Sequence, residues 1–288
     1  MAANEPQLVA DVPCVCGENP LWHPTQRRLY WVDIPRGMLL SYDPATGRHE
    51  TCLQTDPIGG FTIQQDGRLL LFMAGGAVRL WDGAALVTAI EGIPQEADTR
   101  FNDVIADPRG RVLAGTMSTP DRPGRLYRLE TDGSYEVIIQ PVGCSNGLGF
   151  TPDRRRVYYT DSIPREITLL DYDQATGALT NRRLFASLDQ SEGLPDGLTV
   201  DAEGFVWSAR WDGGCVVRYA PDGSVDRRID LPTPKVTSVI FAGEAYEDLY
   251  VTTAGGDERG ADDPLAGSLF RLCPGVRGVP EFPSRVAV

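Results

Sequence analysis

The stretch "LGFTPDRRRVYYTDS", Leu148 to Ser162, has the pattern of a short strand, a turn and a second strand rich in valine and tyrosine. The same pattern occurs five more times in the 288-residue chain. The other versions are "PLWHPTQRRLYWVDI" (20–34), "FTIQQDGRLLLFMA" (61–74), "DVIADPRGRVLAGTM" (103–117), "LTVDAEGFVWSARW" (198–211) and "SVIFAGEAYEDLYVTT" (238–253). A repeated unit of this kind indicates a repeat architecture, whose type depends on the spacing.

The first apolar residue of each second strand gives a measure of that spacing. These residues are Leu29, Leu69, Val112, Val157, Val206 and Leu249, and they are 40, 43, 45, 49 and 43 residues apart. Each interval has room for four short antiparallel strands, and the turns carry Asp-Gly, Arg-Gly and Glu-Gly pairs that favour tight hairpins. No segment keeps a 3.6-residue apolar period, so we expect very little helix.

Six such repeats predict an all-β protein, a six-bladed β-propeller with four antiparallel strands per blade, over residues 1–288 as a single domain. An open ring would expose two long strand edges. We therefore expect the N-terminal segment "QLVADV" (7–12) to pair with the last repeat near "SLFRL" (268–272) and to close the ring.

Composition limits the partners. The chain is 42% hydrophobic and 23% charged, which is typical of a soluble globular protein, and its formal net charge of -13 argues against nucleic-acid binding. It has no signal-peptide pattern and no run of 18 apolar residues. We expect a cytoplasmic protein, monomeric or weakly self-associating, with neither nucleic acid nor membrane as a partner.

Cysteine and histidine chemistry is not favoured. The six cysteines show no CxxC spacing and are predicted to be packing residues, including Cys14 and Cys16. The only two histidines, His23 and His49, are too few for a histidine-rich zinc site and are predicted to be structural. The string "GCSNG" (143–147) fits the nucleophile elbow of serine hydrolases, but the strand, turn and strand that follow it argue against Ser145 as a nucleophile.

Polar side chains recur at the start of the first strand of several repeats. In a propeller these strands line the central channel, so residues 10 or 11 positions before each apolar anchor meet at one mouth. Four of them are carboxylates or amides, while Gly59 and Ser238 occupy the other two places. The four are Glu18, Asn102, Asn146 and Asp196. An oxygen-rich set of this kind suits Ca²⁺, Mg²⁺ or Mn²⁺, with Zn²⁺ and Fe²⁺ also possible.

The chain also resembles a known family, through strings found along nearly its whole length. These strings are "GENPLW", "RLYWVDI", "RFNDVIADPRGRVLAGTM", "SNGLGFTPDRRRVYYTDS", "LPDGLTVDAEGFVW" and "LYVTTAGG". They are similar to those of the senescence marker protein 30 family, also called the gluconolactonase or regucalcin family. The resemblance implies a six-bladed propeller that binds one divalent metal at the channel mouth and hydrolyses sugar lactones.

The same resemblance assigns roles to residues. It implies metal ligands at Glu18, Asn146 and Asp196, and substrate contacts at Arg100 and Asn102. Two positions depart from the family pattern. Asn19 stands where the family commonly has glycine, and the loop after "AGTM" offers only Asp121 as a candidate for the substrate-binding glutamate of some relatives.

Taken together, these observations predict metal-dependent hydrolysis of an aldonolactone, such as gluconolactone or a pentonolactone, with Asp196 as general base. The predicted cofactor is one divalent ion, Ca²⁺, Zn²⁺, Mn²⁺, Mg²⁺ or Fe²⁺. Two alternatives stay open: a calcium-dependent hydrolase of phosphotriesters or aryl esters, and a non-catalytic, calcium-binding regulatory propeller.

Overall fold

A computed structural model describes residues 5–288 and confirms the predicted six-bladed β-propeller. Its strands form six four-stranded antiparallel sheets, and in five of them the strands are neighbours in sequence order. The apolar anchors lie where the repeat predicts, because each is the first or second residue of the second strand of its blade. Regular alternation of short strands and glycine-containing turns therefore gives one blade per repeat.

The strands are numbered in chain order. Blade 1 contains β2 (Gly17–His23), β3 (Arg28–Asp33), β4 (Met38–Asp43) and β5 (Arg48–Gln54). Blade 2 contains β6 (Ile58–Ile63), β7 (Leu69–Met73), β8 (Val78–Trp81) and β9 (Leu86–Ile90). Blade 3 contains β10 (Phe101–Ala106), β11 (Val112–Thr116), β12 (Gly124–Leu129) and β13 (Tyr135–Val142). Blade 4 contains β14 (Ser145–Phe150), β15 (Arg156–Asp161), β16 (Glu166–Tyr172) and β17 (Leu179–Ser187). Blade 5 contains β18 (Leu194–Val200), β19 (Val206–Trp211), β20 (Cys215–Tyr219) and β21 (Val225–Asp230).

Blade 6 is built from both ends of the chain. It contains β22 (Val236–Ala242), β23 (Asp248–Thr253), β24 (Leu269–Leu272) and β1 (Gln7–Ala10). The N-terminal strand β1 lies antiparallel to β24, with Leu8 opposite Phe270. The predicted ring closure is therefore confirmed, and the edge of β24 is covered.

The first strand of each blade faces the centre of the molecule. Strands β2, β6, β10, β14, β18 and β22 each contact the corresponding strand of the next blade, and β22 contacts β2, which completes the ring. Residues at the start of these six strands consequently meet at one mouth of the channel, and those at their ends meet at the other. Gly59 is required here, since a side-chain carbon at this position would lie 1.9 Å from the carbonyl oxygen of Phe101 in the next blade.

The hydrophobic core lies between adjacent blades, where the facing sheets pack their apolar side chains. Between blades 2 and 3, Phe72 and Phe101 make an edge-to-face contact with ring centres 5.3 Å apart. Trp207 and Phe241 make a similar contact between blades 5 and 6, at 5.9 Å. These interfaces fix the blades relative to one another and hence the positions of the channel residues.

Helix is almost absent from residues 5–288, as predicted. The helical segments of this range are three single turns of 3-10 helix, Pro94–Glu96, Gln190–Glu192 and Gly256–Glu258. None of them is long enough to cross a membrane.

Candidate active site at the channel mouth

A β-bulge occurs near the start of the first strand of every blade, at the mouth of the channel where the predicted polar residues lie. The register shifts lie between Glu18 and Leu21, Ile58 and Gly60, Phe101 and Val104, Asn146 and Leu148, Pro195 and Leu198, and Val236 and Ser238. A bulge twists the strand locally and re-aims the side chain beside it. The polar residues predicted from the repeat therefore lie where each inner strand departs from regular pairing.

The three predicted metal ligands are brought to one cavity. Glu18, Asn146 and Asp196 are each 5% exposed and line the same space. Asn146 donates from Nδ2 to Oγ of Ser162 at 3.1 Å, while its Oδ1 is buried without a hydrogen-bond partner. Oδ1 of Asp196 is likewise buried and unpartnered. Buried polar atoms normally have a partner, so these two oxygens are available to a ligand in the cavity.

Without a bound cation, the ionised carboxylates of the site would repel one another. Burial raises the pKa of Glu18 to about 8, and the nearby charge of Asp103 adds to the shift. Burial also raises the pKa of Asp196 well above its ordinary range, with further contributions from the charges of Glu18 and Asp103. A cation placed between Glu18 and Asp196 would favour their ionised forms and remove the conflict.

The donor set fits a divalent cation. Across residues 5–288, no group of three or more His, Cys, Asp or Glu side chains is arranged as a metal site. A cation here would consequently depend on the amide oxygen of Asn146 together with the carboxylates of Glu18 and Asp196. Such an all-oxygen set is typical of hard cations such as Ca²⁺, Mg²⁺ and Mn²⁺.

Arg100 and Asn102 form a second polar group in the same cavity. The Arg100 guanidinium donates to Oδ1 of Asn102 at 2.6 Å and to the carbonyl of Phe101 at 2.9 Å. Asn102 in turn donates from Nδ2 to the carbonyl of Ser145 at 2.7 Å. Asn102 is thereby fixed between two blades, and Arg100 keeps donors available to a bound molecule.

The cavity has a volume of about 250 Å³ and is lined by both polar and apolar residues. Ser118 and Ser162 add to the polar lining. The apolar lining residues, called the apolar wall below, are Cys16, Met117, Cys144, Ile163, Leu194 and Trp211. This size and this mixed lining suit a small molecule that carries both hydroxyls and C–H groups.

Two cysteines of the apolar wall are the part that sequence reasoning missed. Cys16 was predicted to be only a packing residue, yet it lines the cavity, and so does Cys144. Burial raises the pKa of the Cys144 thiol to about 12 and that of Cys16 well above its usual range, which disfavours the reactive thiolate form of both. By contrast, Cys14 is fully buried, as a packing residue should be. The one available signal was position, because Cys16 and Cys144 each stand two residues before a predicted metal ligand.

Trp211 has a further contact on the outer side of the cavity. The Lys235 ammonium lies 5.5 Å from the centre of the Trp211 ring and 3.2 Å from a carboxylate oxygen of Glu258. Lys235 is the only lysine in the chain. A cation over the indole face favours one orientation of the ring and so helps to hold this wall in place.

Asp121 lies outside the cavity. It is an exposed residue of the loop between β11 and β12, and it lines an open groove of about 640 Å³ next to the cavity. The groove shares Ser118 and Gly143 with the cavity. A contact between Asp121 and a bound substrate stays a prediction.

The rival nucleophile has no catalytic partner. Ser145 is fully buried, and its Oγ accepts a hydrogen bond from the Tyr159 hydroxyl at 3.1 Å. Its motif lies at the start of strand β14, where no helix follows. His23 bonds Gly67 and Gln26 near the far end of the channel, and His49 lies on the outer strand β5. The expectation that Ser145 does not act as a serine-hydrolase nucleophile agrees with this placement.

A larger cavity lies at the opposite end of the channel. Its volume is about 480 Å³, and it is bounded by the ends of the inner strands and by residues 280–283 of the C-terminal segment. The smaller cavity is the candidate site, since it holds the unpartnered oxygens of Asn146 and Asp196.

Known proteins resemble this chain along most of its length. The family model described as SMP-30/Gluconolactonase/LRE-like region matches residues 16–255. The pentonolactonase XacC of Haloferax volcanii is 49% identical over 286 residues, which cover 96% of this chain and 97% of the relative. Among solved structures, a calcium-binding protein, regucalcin, from Agrobacterium tumefaciens has a TM-score of 0.91 at 25% identity and covers both chains fully. A gluconolactonase from Xanthomonas campestris has a TM-score of 0.75 at 25% identity, covering 93% of this chain and 89% of the other.

Proposed function

Because the chain belongs to the SMP-30/gluconolactonase/LRE-like family, we propose that it opens a sugar lactone to the aldonic acid with a divalent cation held by Glu18, Asn146 and Asp196. The protein is a lactonase, as its 49% identity to a pentonolactonase supports. We further propose a five-carbon aldonolactone as the preferred substrate. The observation that carries the proposal is the pair of unpartnered buried oxygens, on Asn146 and Asp196, in the cavity that also holds Arg100 and Asn102.

The cation would lie among Glu18, Asn146 and Asp196, whose oxygens supply the ligands. When bound, it supplies Lewis-acid polarisation of the lactone carbonyl and lowers the pKa of a water molecule. A resemblance to a calcium-binding regucalcin supports a divalent ion. The donor chemistry is compatible with Ca²⁺, Mn²⁺, Mg²⁺, Zn²⁺ or Fe²⁺.

Asp196 is proposed as the general base. Lactone hydrolysis needs a group that takes a proton from the attacking water, and no histidine lines the cavity, so a carboxylate must do this. Asp196 suits the role because its buried side chain lines the cavity. A carboxylate has two oxygens, so one can bind the cation while the other accepts a proton or a hydrogen bond from water.

Arg100 and Asn102 are proposed to orient the substrate. Their hydrogen bond to each other fixes both side chains before substrate arrives, which reduces the entropy lost on binding. The guanidinium donates to hydroxyl or ring oxygens, while Trp211 and Ile163 cover the C–H side of the sugar. A volume of about 250 Å³ is below the range of about 300–1,000 Å³ typical of drug-sized ligands, which favours a single small sugar ring.

A pH-stat assay tests the proposal. The protein is stripped with a chelator, dialysed and assayed with five- and six-membered aldonolactones after addition of Ca²⁺, Mn²⁺, Mg²⁺, Zn²⁺ or Fe²⁺. We expect acid release above the spontaneous rate only with a metal, fastest with a pentonolactone, and a loss of about 10²-fold or more in Asp196→Asn. Acid release that is unchanged by chelation, or unchanged in Asp196→Asn, would contradict the metal and base roles respectively.

The apolar wall favours a second candidate. Met117, Leu194 and Trp211 could accept an aryl group, so hydrolysis of an aryl ester or phosphotriester is the alternative. The same assay with 4-nitrophenyl acetate and paraoxon separates the two. We expect kcat/KM to be higher for the lactone, since an aryl group would leave the donors of Arg100 unused. Metal binding with no turnover of any substrate would instead support the regulatory, non-catalytic reading.

A further inference from the structure

Asp33 is hydrogen-bonded to the backbone segment just before strand β2, which carries Glu18. Its carboxylate is at the end of β3, only 1% exposed, and accepts hydrogen bonds from the backbone N–H groups of Val15 at 3.1 Å and Cys16 at 3.0 Å. Arg36 also donates to it at 3.2 Å. Glu18 follows Cys16 by two residues, so the carboxylate of Asp33 fixes the chain just before it presents Glu18 to the cavity.

Asp161 makes the same arrangement in blade 4. It lies at the end of β15, is 6% exposed and accepts from the backbone N–H groups of Gly143 at 3.0 Å and Cys144 at 2.9 Å. Asn146 follows Cys144 by two residues. The register is also the same, because Asp33 pairs with Gly17 and Asp161 pairs with Ser145, in each case the residue before the candidate ligand.

The arrangement is not a general feature of the blades. At the corresponding point in blade 3, Phe101 pairs with Thr116, and in blade 5, Pro195 pairs with Arg210. Neither partner carries a carboxylate. Blades 1 and 4 face each other across a six-bladed ring, and they are the two that present Glu18 and Asn146 from opposite sides of the mouth.

We propose that Asp33 and Asp161 are positioning residues for the metal ligands Glu18 and Asn146. A buried carboxylate is costly unless it is hydrogen-bonded, and a bond from a backbone N–H to a carboxylate is stronger than one between neutral groups. Two such bonds fix the backbone just before β2 or β14. Residues that hold a metal ligand in position by hydrogen bonds commonly change the affinity for the metal. They also place the thiols of Cys16 and Cys144 on the cavity wall. The inference rests on the metal site of the proposed function.

Metal titration of isosteric variants tests it. Asp33→Asn and Asp161→Asn keep the side-chain shape but replace one acceptor oxygen with an N–H donor. The matched control is Asp201→Asn, because Asp201 is 0% exposed, accepts from the backbone N–H groups of Glu203 and Phe205 at 3.0 Å and, like Asp33, also accepts from an arginine, here Arg218, away from the cavity. Binding of Mn²⁺ alone is followed through the EPR signal of free Mn²⁺. We expect about tenfold or weaker affinity in Asp33→Asn and Asp161→Asn and an unchanged value in Asp201→Asn.

A kinetic measurement separates positioning from general destabilisation. Lactone turnover in Asp33→Asn and Asp161→Asn should require more Mn²⁺ for half-activation but should approach the wild-type kcat at saturating Mn²⁺, since neither residue lines the cavity. Wild-type Mn²⁺ affinity in both variants would overturn the inference and leave the proposed metal site intact. A wild-type protein that binds no Mn²⁺ would overturn the metal site and the inference with it.

Hydrogen exchange in the wild-type protein decides the question if the variants do not fold. We expect Mn²⁺ to slow exchange of the amides of Val15, Cys16, Gly143 and Cys144 more than exchange of the amides of Glu203 and Phe205. Equal protection of the two sets would overturn the inference, because Mn²⁺ would then have no specific effect on the segments that precede Glu18 and Asn146.

Discussion

Asn19 Oδ1 accepts a hydrogen bond of 2.6 Å from the backbone N–H of Phe61, and this bond joins blade 1 to blade 2 at the residue that follows Glu18. The Nδ2 group of Asn19 also donates to Asp103 in blade 3 at 3.4 Å. The residue has a φ of 45°, in the left-handed region where glycine is usual and asparagine is tolerated. The asparagine thereby keeps a left-handed backbone conformation and adds a link among three blades.

Asn19→Gly should keep the turn and lose the link. The left-handed backbone is permitted to glycine, so the expected loss comes from the unpaired N–H of Phe61, which is buried. An unsatisfied buried donor costs about 1–3 kcal/mol, and we expect the free energy of unfolding in urea to fall by that amount.

Asn181→Gly is the matched control for Asn19→Gly. Asn181 also has a left-handed backbone, with a φ of 51°, but it is exposed on the outer strand of blade 4. A change within about 0.5 kcal/mol is expected there. If the free energy of unfolding fell equally in the two variants, the hydrogen bonds of Asn19 between blades would not be the cause of its loss in Asn19→Gly.

The fold was predictable from the sequence because each repeat carries its own local signals. Apolar anchors such as Val157 and Val206 mark second strands, and the turns between strands contain glycine or aspartate at the positions that tight hairpins require. Closure by β1 was predictable for a different reason, namely that an open ring has an unpaired edge. These are local or topological rules, so they do not depend on details of packing.

The candidate site was predictable only in part. Strand phase identified Glu18, Asn146 and Asp196, but Arg100 was reached only by resemblance. The place of Cys16 and Cys144 in the cavity lining could not be found, because it depends on how the segments before the inner strands turn toward the channel. The spacing of the repeats in the sequence does not predict which of these segments meet in the folded protein.

Acid should stabilise the metal-free protein. Burial raises the pKa of Glu18 to about 8 and the pKa values of Asp103 and Glu281 to about 7, from ordinary values near 4. The folded state therefore binds more protons than the unfolded state between about pH 4 and 8, and the free energy of unfolding must fall as pH rises through this window. Each carboxyl contributes up to about 1.4 kcal/mol per pH unit. Urea unfolding in EDTA at pH 5.5, 7.0 and 8.5 measures the slope.

Glu281→Gln provides the control for the pH effect. Glu281 lies in the C-terminal segment at the far end of the channel, away from the candidate metal ligands. The variant should reduce the slope in EDTA and leave Mn²⁺ affinity unchanged. Stability that rose with pH in the metal-free wild type would contradict the raised pKa values.

Removal of β1 should lower the thermal stability of the whole propeller. Deletion of residues 1–10 exposes the edge of β24 and removes Ala10 from the core between blades 6 and 1. We expect the thermal midpoint to fall by roughly 5 °C or more, at about 2–4 °C per kcal/mol for a chain of this size. Leu8→Asp is the control, since Leu8 is 44% exposed on the same strand and its replacement should have little effect. An unchanged midpoint in the deletion would show that β1 does not close the ring in solution.

Arg100 and Arg182 allow a direct test of which arginine binds substrate. Arg100 lines the cavity and is fixed by Asn102, whereas Arg182 lines only the neighbouring groove. Within residues 5–288, the Arg182 guanidinium makes no hydrogen bond or ion pair, and it lies 6.0 Å from the Tyr159 ring centre. Arg100→Met should raise KM for a pentonolactone by about tenfold or more, because a hydrogen bond from a charged donor contributes about 1.5–3 kcal/mol. Arg182→Met should leave KM for this single-ring substrate within about twofold, since one ring fills a cavity of about 250 Å³ without reaching the groove. A larger effect of Arg182→Met would move substrate binding into the groove beside Asp121, and Arg100 would then act only through Asn102.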